Sequence, residues 1–259
     1  MAERHRAVPV PPEVQQRRQA LFDLLRPVAL SNCELQRFGE PNDGGYLMCA
    51  NLLNEVKAGY SYGIGGYDQW GCDVSTRLGV TVHQYDCFNT TRPSCRGGNT
   101  IFHEECVGDT TGTIDGRIFD TIASQLAKNG DASRPIVLKI DVEGAEWDSL
   151  MSVPEPLLKQ IDQLVVEFHW MEDEKFRWIG DEKYVRVAER LRQFFEVGHL
   201  HVNNSSCVAD LAPFTGWAFE VLFVNKRLAV VDPSRRAGGV HPLDARNSPE
   251  YDDCQPVYR

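Results

Sequence analysis

The chain has 259 residues, 42% of them hydrophobic, and a formal net charge of −10. That length fills the core of one large domain or two small ones, while the excess of acid argues against a nucleic-acid backbone as the main partner. No apolar run nears the ~18 residues that span a bilayer, and the opening MAERHRAVPVPPEVQQ lacks the apolar stretch of a secretory leader.

Residues 1–12 are polar and proline-containing, as expected of a loose arm. From Glu13 onward Val14, Leu21, Leu24, Leu25 and Val28 share one helical face, with Pro27 near its end. In RFGEPNDGGYLMC, Asn42-Asp43-Gly44-Gly45 is a turn signature leading into a short extended piece. A strand over Gly59–Gly63 follows, then the glycine-rich IGGYDQ and a helix with Trp70, Val74 and Leu78 at spacings of four. Gly79 closes that helix, and VTVHQYD gives the next strand, ending on Asp86. Asp86 follows Gly63 at close to the ~20 residues that separate a nucleotide-binding turn from the carboxylate that holds a ribose.

Asn89–Asn99 has loop composition, Thr100–Val107 can form a third strand, and Ile118, Ile122 and Leu126 mark a helix stopped by Asn129-Gly130. Pro135–Leu150 (PIVLKIDVEGAEWDSL) organises the whole. Its apolar run suits a strand buried on both faces of a parallel sheet. The run stops at Asp141, and Gly144 turns the chain into a helix opened by Glu143 and Glu146, which the helix dipole favours. Gln163–Trp170 is a fifth strand carrying Glu167 and His169 toward its carboxyl end, and Glu182–Val197 is an amphipathic helix. Glu196–Val202 and Trp217–Asn225 are two strands joined without a helical crossover, which requires them to run antiparallel. From Asp232 the chain is Pro/Gly-rich and polar, and reads as loop or disorder.

The eight cysteines form no CxxC pair and no zinc-ligand spacing. In a chain of this length they read as buried or free thiols of a reducing compartment, the cytoplasm. Their even number, with glycosylation sequons at Asn89, Asn203 and Asn204, is what would fit a secretory lumen.

KIDVEGAEW after a buried strand resembles the FkbM-type methyltransferases and the related methyltransferase-like proteins, and SYGIGG, HQYD and DGGY are similar to the latter group's pattern. The resemblance covers roughly residues 37–225. It implies a class I, Rossmann-like α/β methyltransferase: a three-layer sandwich around a seven-stranded, mostly parallel sheet with an antiparallel last strand. It divides the chain into an arm and helix (1–36), the methyltransferase domain (37–231) and a polar tail (232–259). The implied cofactor is S-adenosyl-L-methionine. Gly63 and Gly65 would line its methionine part, Asp86 would bind the ribose hydroxyls, Val107 would flank the adenine and Asp141 would lie near the transferring methyl. The chain departs from the pattern at Ser61, where an acid is usual, and at Tyr67, the third glycine position; Asp68 or Asp43 is the substitute carboxylate.

Methyl transfer to a hydroxyl needs alignment and removal of a proton. Asp141, Glu167 and His169 are the catalytic candidates at the carboxyl edge, with His169 the first choice as base because its ordinary pKa lies near neutrality. The same three could gather a Mg²⁺-like ion, a reading not favoured because the Asp-Asn pair of catechol-type enzymes is missing. The expected function is O-methylation of a small molecule or glycan. A nicotinamide-dependent oxidoreductase and a non-catalytic binding module are the alternatives.

Overall fold

The computed structural model describes residues 10–169, 182–209, 211–256 and 258. Trp170, expected to end the fifth strand, and residues 1–9 of the expected arm lie outside them. Helix α1 (Pro12–Leu24) leads to a hairpin of β1 (Leu35–Gly39) and β2 (Gly45–Cys49), then to β3 (Ala58–Tyr62), α2 (Gln69–Leu78) and β4 (Thr81–Tyr85). Four strands follow: β5 (Asn99–His103), β6 (Cys106–Gly108), β7 (Gly112–Ile114) and β8 (Arg117–Thr121). After α3 (Ile122–Asn129) come β9 (Ile136–Ile140), α4 (Glu146–Met151), α5 (Glu155–Gln160) and β10 (Ile161–His169). Helix α6 (Glu182–Phe194), β11 (Phe195–Val202) and β12 (Ala218–Asn225) complete the regular structure.

Seven strands form one sheet in the order β11-β12-β10-β9-β3-β4-β5. Strand β12 is antiparallel to both its neighbours, and the pairs from β10 through β9, β3 and β4 to β5 are parallel. The last strand in the chain is therefore the reversed one, as expected. Strands β3, β9 and β10 are buried along their whole lengths, the condition that a parallel centre imposes on its residues. One face packs on helices through Leu21 of α1, Leu126 of α3, Trp147 of α4, Leu158 of α5 and Leu191 of α6. The other face packs on the β1–β2 hairpin and α2 through Phe38, Tyr46, Met48, Trp70 and Val74. Each fully buried Leu, Ile or Phe contributes roughly 1.5–3 kcal/mol, so two such faces fix the three layers.

Local signals set the ends of elements. Asp68 caps α2 by accepting from the Gly71 N–H, and Thr121 caps α3 by accepting from Ser124. That cap corrects the expected third helix: Ile118 belongs to β8, and the helix starts at Ile122. Strand β8 exists because Asp115-Gly116, both at positive φ, turn the chain back on β7. The expected strand Thr100–Val107 also divides. Its first part, β5, stays in the main sheet, while β6 pairs with β8 in a separate three-stranded sheet.

All eight cysteines are paired, as Cys33–Cys49, Cys72–Cys95, Cys87–Cys106 and Cys207–Cys254. This corrects the expectation of free thiols, which rested on the missing CxxC spacing; none of these bridges is local enough to leave such a signature. The tail is irregular, as expected, but it is fastened to the domain. Gln255 bonds both backbone groups of Val202, Asn204 donates to the carbonyls of Ser248 and Tyr251, and Tyr258 stacks on Phe22. Among the described residues no helix is long and apolar enough to cross a membrane.

Two outcomes are expected. The denatured, unreduced protein should react with no maleimide, and reduction should expose every cysteine. Replacing Cys207 and Cys254 with alanine releases a loop of 47 residues, and urea unfolding should show a loss of about 4 kcal/mol. A loss below ~1 kcal/mol would mean the tail is held by its hydrogen bonds alone.

Candidate active site

The strand order reverses at β3: the chain steps outward to β4 and β5, then returns to the other side for β9 and β10. Ligands of open α/β sheets bind at such a point, beyond the carboxyl ends of the strands. A cleft of about 590 Å³ opens there, walled by the loops after β3, β4 and β9 and by the tip of the β1–β2 hairpin. Its floor is the turn after β3. Gly63 has φ +71°, and a Cβ placed on it would lie 1.7 Å from the Asp141 carbonyl oxygen, so only glycine lets β3 and β9 exit so close together.

Asp86 stands on the opposite lip. One carboxylate oxygen accepts from the Gly65 N–H at 2.7 Å, and the other accepts from the N–H groups of Phe88 and Asn89, both at 2.9 Å. A carboxylate has about four acceptor positions, so room remains for a ligand hydroxyl. The Asn89 amide donates to the Gly65 carbonyl and closes this ring of contacts. The disulfide Cys87–Cys106 ties the Asp86 loop to the strand that carries Val107.

Behind the cleft lies a buried ionic group. The Lys139 ammonium donates to the Gly63 carbonyl at 2.9 Å and meets Asp141 Oδ2 at 3.1 Å. Burial alone would lower its pKa, but Asp141 and Asp68 outweigh it and raise the value. The Tyr46 hydroxyl bridges Asp141 Oδ2, at 3.1 Å, and Glu167 Oε2, at 3.3 Å. Burial first, then Asp141 and Glu220, push the Glu167 carboxyl well above the ordinary carboxylate range. Asn203 donates to Glu167 Oε1 at 2.8 Å.

His169 completes the group. Its Nε2 lies 3.7 Å from Glu167 Oε1 and 3.9 Å from Asp141 Oδ1, and its Nδ1 lies 3.4 Å from Glu146 Oε1. Burial would lower its pKa, yet Glu146, Glu167 and Asp141 raise it to about 9. Glu146 is itself fixed: its carboxylate accepts from the backbone N–H groups of Gly144 and His169.

Of the residues singled out in the sequence, Asp43, Gly63, Gly65, Asp86, Val107 and Asp141 line the cleft. Glu167 and His169 sit beyond Asp141, joined to it by the contacts above. Asp68 is buried in the wall, its pKa raised by burial against the pull of Lys139, Gly71 and Gln84. Asp43 is exposed at the hairpin tip, where Asn247 of the tail donates to it at 2.9 Å and to Glu220 at 2.7 Å. Four contributors were not singled out as site residues: Lys139, Tyr46, Glu220 and Asn247. Lys139 carried a readable signal, since a lysine inside the apolar run IVLKI must be paired if buried.

Lys139→Met removes one partner of a buried pair and should cost about 3–5 kcal/mol in urea unfolding. A change below ~1 kcal/mol would show that the ammonium does not hold the turn to the strand.

The methyltransferase FkbM domain family matches residues 17–202, well over half of the chain. No curated protein and no solved structure matches it. The matched span runs from within α1 to the end of β11 and includes the glycine turn, the Asp86 lip and Lys139, Asp141, Glu167 and His169. The chain belongs to the FkbM methyltransferase family.

Proposed function

We propose that the protein uses S-adenosylmethionine to methylate a hydroxyl of a small molecule or glycan. The observation that carries this reading is the charge of the cleft. Asp43, Asp86, Glu105, Asp141 and Glu143 line it, and among the described residues its one basic side chain is Lys139, which Asp141 and the Gly63 carbonyl already engage. Such walls suit a donor with a cationic sulfonium and ammonium. They disfavour the pyrophosphate of a nicotinamide dinucleotide, whose charges would meet carboxylates and no available cation.

The residues present fit the donor. Gly63 and Gly65 offer backbone at close approach, Asp86 keeps acceptor capacity for the ribose hydroxyls, and Val107 gives an apolar wall for the base. When bound, S-adenosylmethionine supplies an electrophilic methyl group, and the protein's share is alignment with the acceptor. Asp141, at the inner end of the cleft, joins it to Glu167 and His169. To these three we assign the binding of the acceptor hydroxyl and the easing of its proton loss. The four disulfides support an oxidising compartment in place of the cytoplasm that the sequence favours.

Calorimetry with S-adenosylmethionine, its demethylated product and NAD tests the reading. The first two should bind, and binding of NAD alone would overturn it. If none binds, a non-catalytic module becomes the better description. Asp86→Ala should weaken cofactor binding at least tenfold, while His169→Ala should leave it nearly intact and slow methyl transfer. Equal losses of binding in both variants would show the roles to be misassigned.

A further inference from the structure

The group behind the cleft has the geometry of a ligand set. His169 is 5% exposed, and its Nε2 makes no hydrogen bond among the described residues. Instead it faces three carboxylate oxygens: Glu167 Oε1 at 3.7 Å, and Asp141 Oδ1 and Glu143 Oε2, both at 3.9 Å. These separations are too long for hydrogen bonds. They match the roughly 3–4 Å between neighbouring ligand atoms around a cation with bonds of about 2.1 Å.

We infer that Asp141, Glu167 and His169 bind a single divalent cation. The other atoms of each residue are already placed so as to leave these three atoms converging. Asp141 Oδ2 is held by Lys139 and Tyr46, Glu167 Oε2 by Tyr46, and His169 Nδ1 faces the fully buried Glu146; Glu167 Oε1 accepts from Asn203 at 2.8 Å and keeps a second lone pair for the cation. A carboxylate behind the far nitrogen of a histidine is the usual support of a metal-binding imidazole, since it fixes the ring and its tautomer. One nitrogen with two or three carboxylate oxygens suits Mn²⁺ or a cation of similar hardness.

A second acidic set, Asp43, Glu167 and Glu220, lies alongside and shares Glu167. Its need for a donor is met by Asn247, which bonds both Asp43 and Glu220, and it offers no nitrogen. The first set is therefore the one assigned. The site stands without the methyl-transfer reading; only its consequence rests there, namely that the ion polarises the oxygen of the acceptor with His169 as a ligand.

The test uses the full chain, stripped by chelator and titrated with MnCl₂ while electron paramagnetic resonance follows free Mn²⁺. One ion per chain is expected. His169→Gln and Asp141→Asn should each weaken it at least tenfold, and Glu146→Gln, which would not touch the ion, by about 10–100-fold. Glu220→Gln should leave the affinity within about threefold. Far-ultraviolet circular dichroism and the urea midpoint of each variant check that it is folded; where one variant fails that check, the other decides. Absence of a site tighter than ~1 mM would overturn the assignment. So would loss of the ion in Glu220→Gln with retention in His169→Gln, which would move it to the neighbouring set. Mn²⁺ bound as expected with no cofactor binding would leave the metal site standing and remove the methyl-transfer reading instead.

Discussion

The Lys139 ammonium is the point on which the cleft depends. It sits between the carbonyl of Gly63 and the carboxylate of Asp141, and so joins the ends of β3 and β9 at the reversal of strand order. A lone ammonium there would be costly, because burial removes its water. The two acceptors offset that cost only if both strands end where they do. Gly63 then has no freedom to become another residue, since any Cβ would strike the Asp141 carbonyl. A charge pair, a turn and a sheet register are in this way one constraint.

The same alternation that builds the core decides which side receives the charges. Side chains two apart along a strand share a face. Val137, Lys139 and Asp141 therefore point with Val165, Glu167 and His169 toward the layer of Tyr46, where Val137 and Val165 are part of the core. Across the next pairs Glu167 sits opposite Glu220, and Glu220 opposite His201. The apolar halves of these strands pack the hairpin, and the polar halves, one or two residues further on, face Tyr46, Asn203 and Asn247. Core and site are consecutive stretches of one surface.

How much of this could be read from the residues depends on how local the cause is. The apolar run Ile136–Ile140, the glycine turn and the spacing to Asp86 are set by a strand-helix-strand unit, whose length fixes where its ends meet; sequence shows that directly. The reversed final strand was legible because the stretch between Val202 and Trp217 carries no helical period that could serve as a crossover. The split at Glu104-Glu105 was not, since no glycine or proline interrupts Thr100–Val107 and only the partner strand distinguishes β5 from β6. Pairings between distant segments were hidden for the same reason. Nothing near Cys207 points to Cys254, and nothing near Asn247 points to Asp43 and Glu220.

The bridge between Cys87 and Cys106 closes a covalent loop across a sequence separation of 19, with the Asp86 lip of the cleft at its neck. Two strand ends that would otherwise drift independently become parts of one ring. Much of the ordering entropy of that lip is thus settled when the sulfurs join, before any small molecule arrives, which is how preorganised receptors gain affinity without new contacts. The redox state of this one pair would then shape how tightly the cleft holds what enters it.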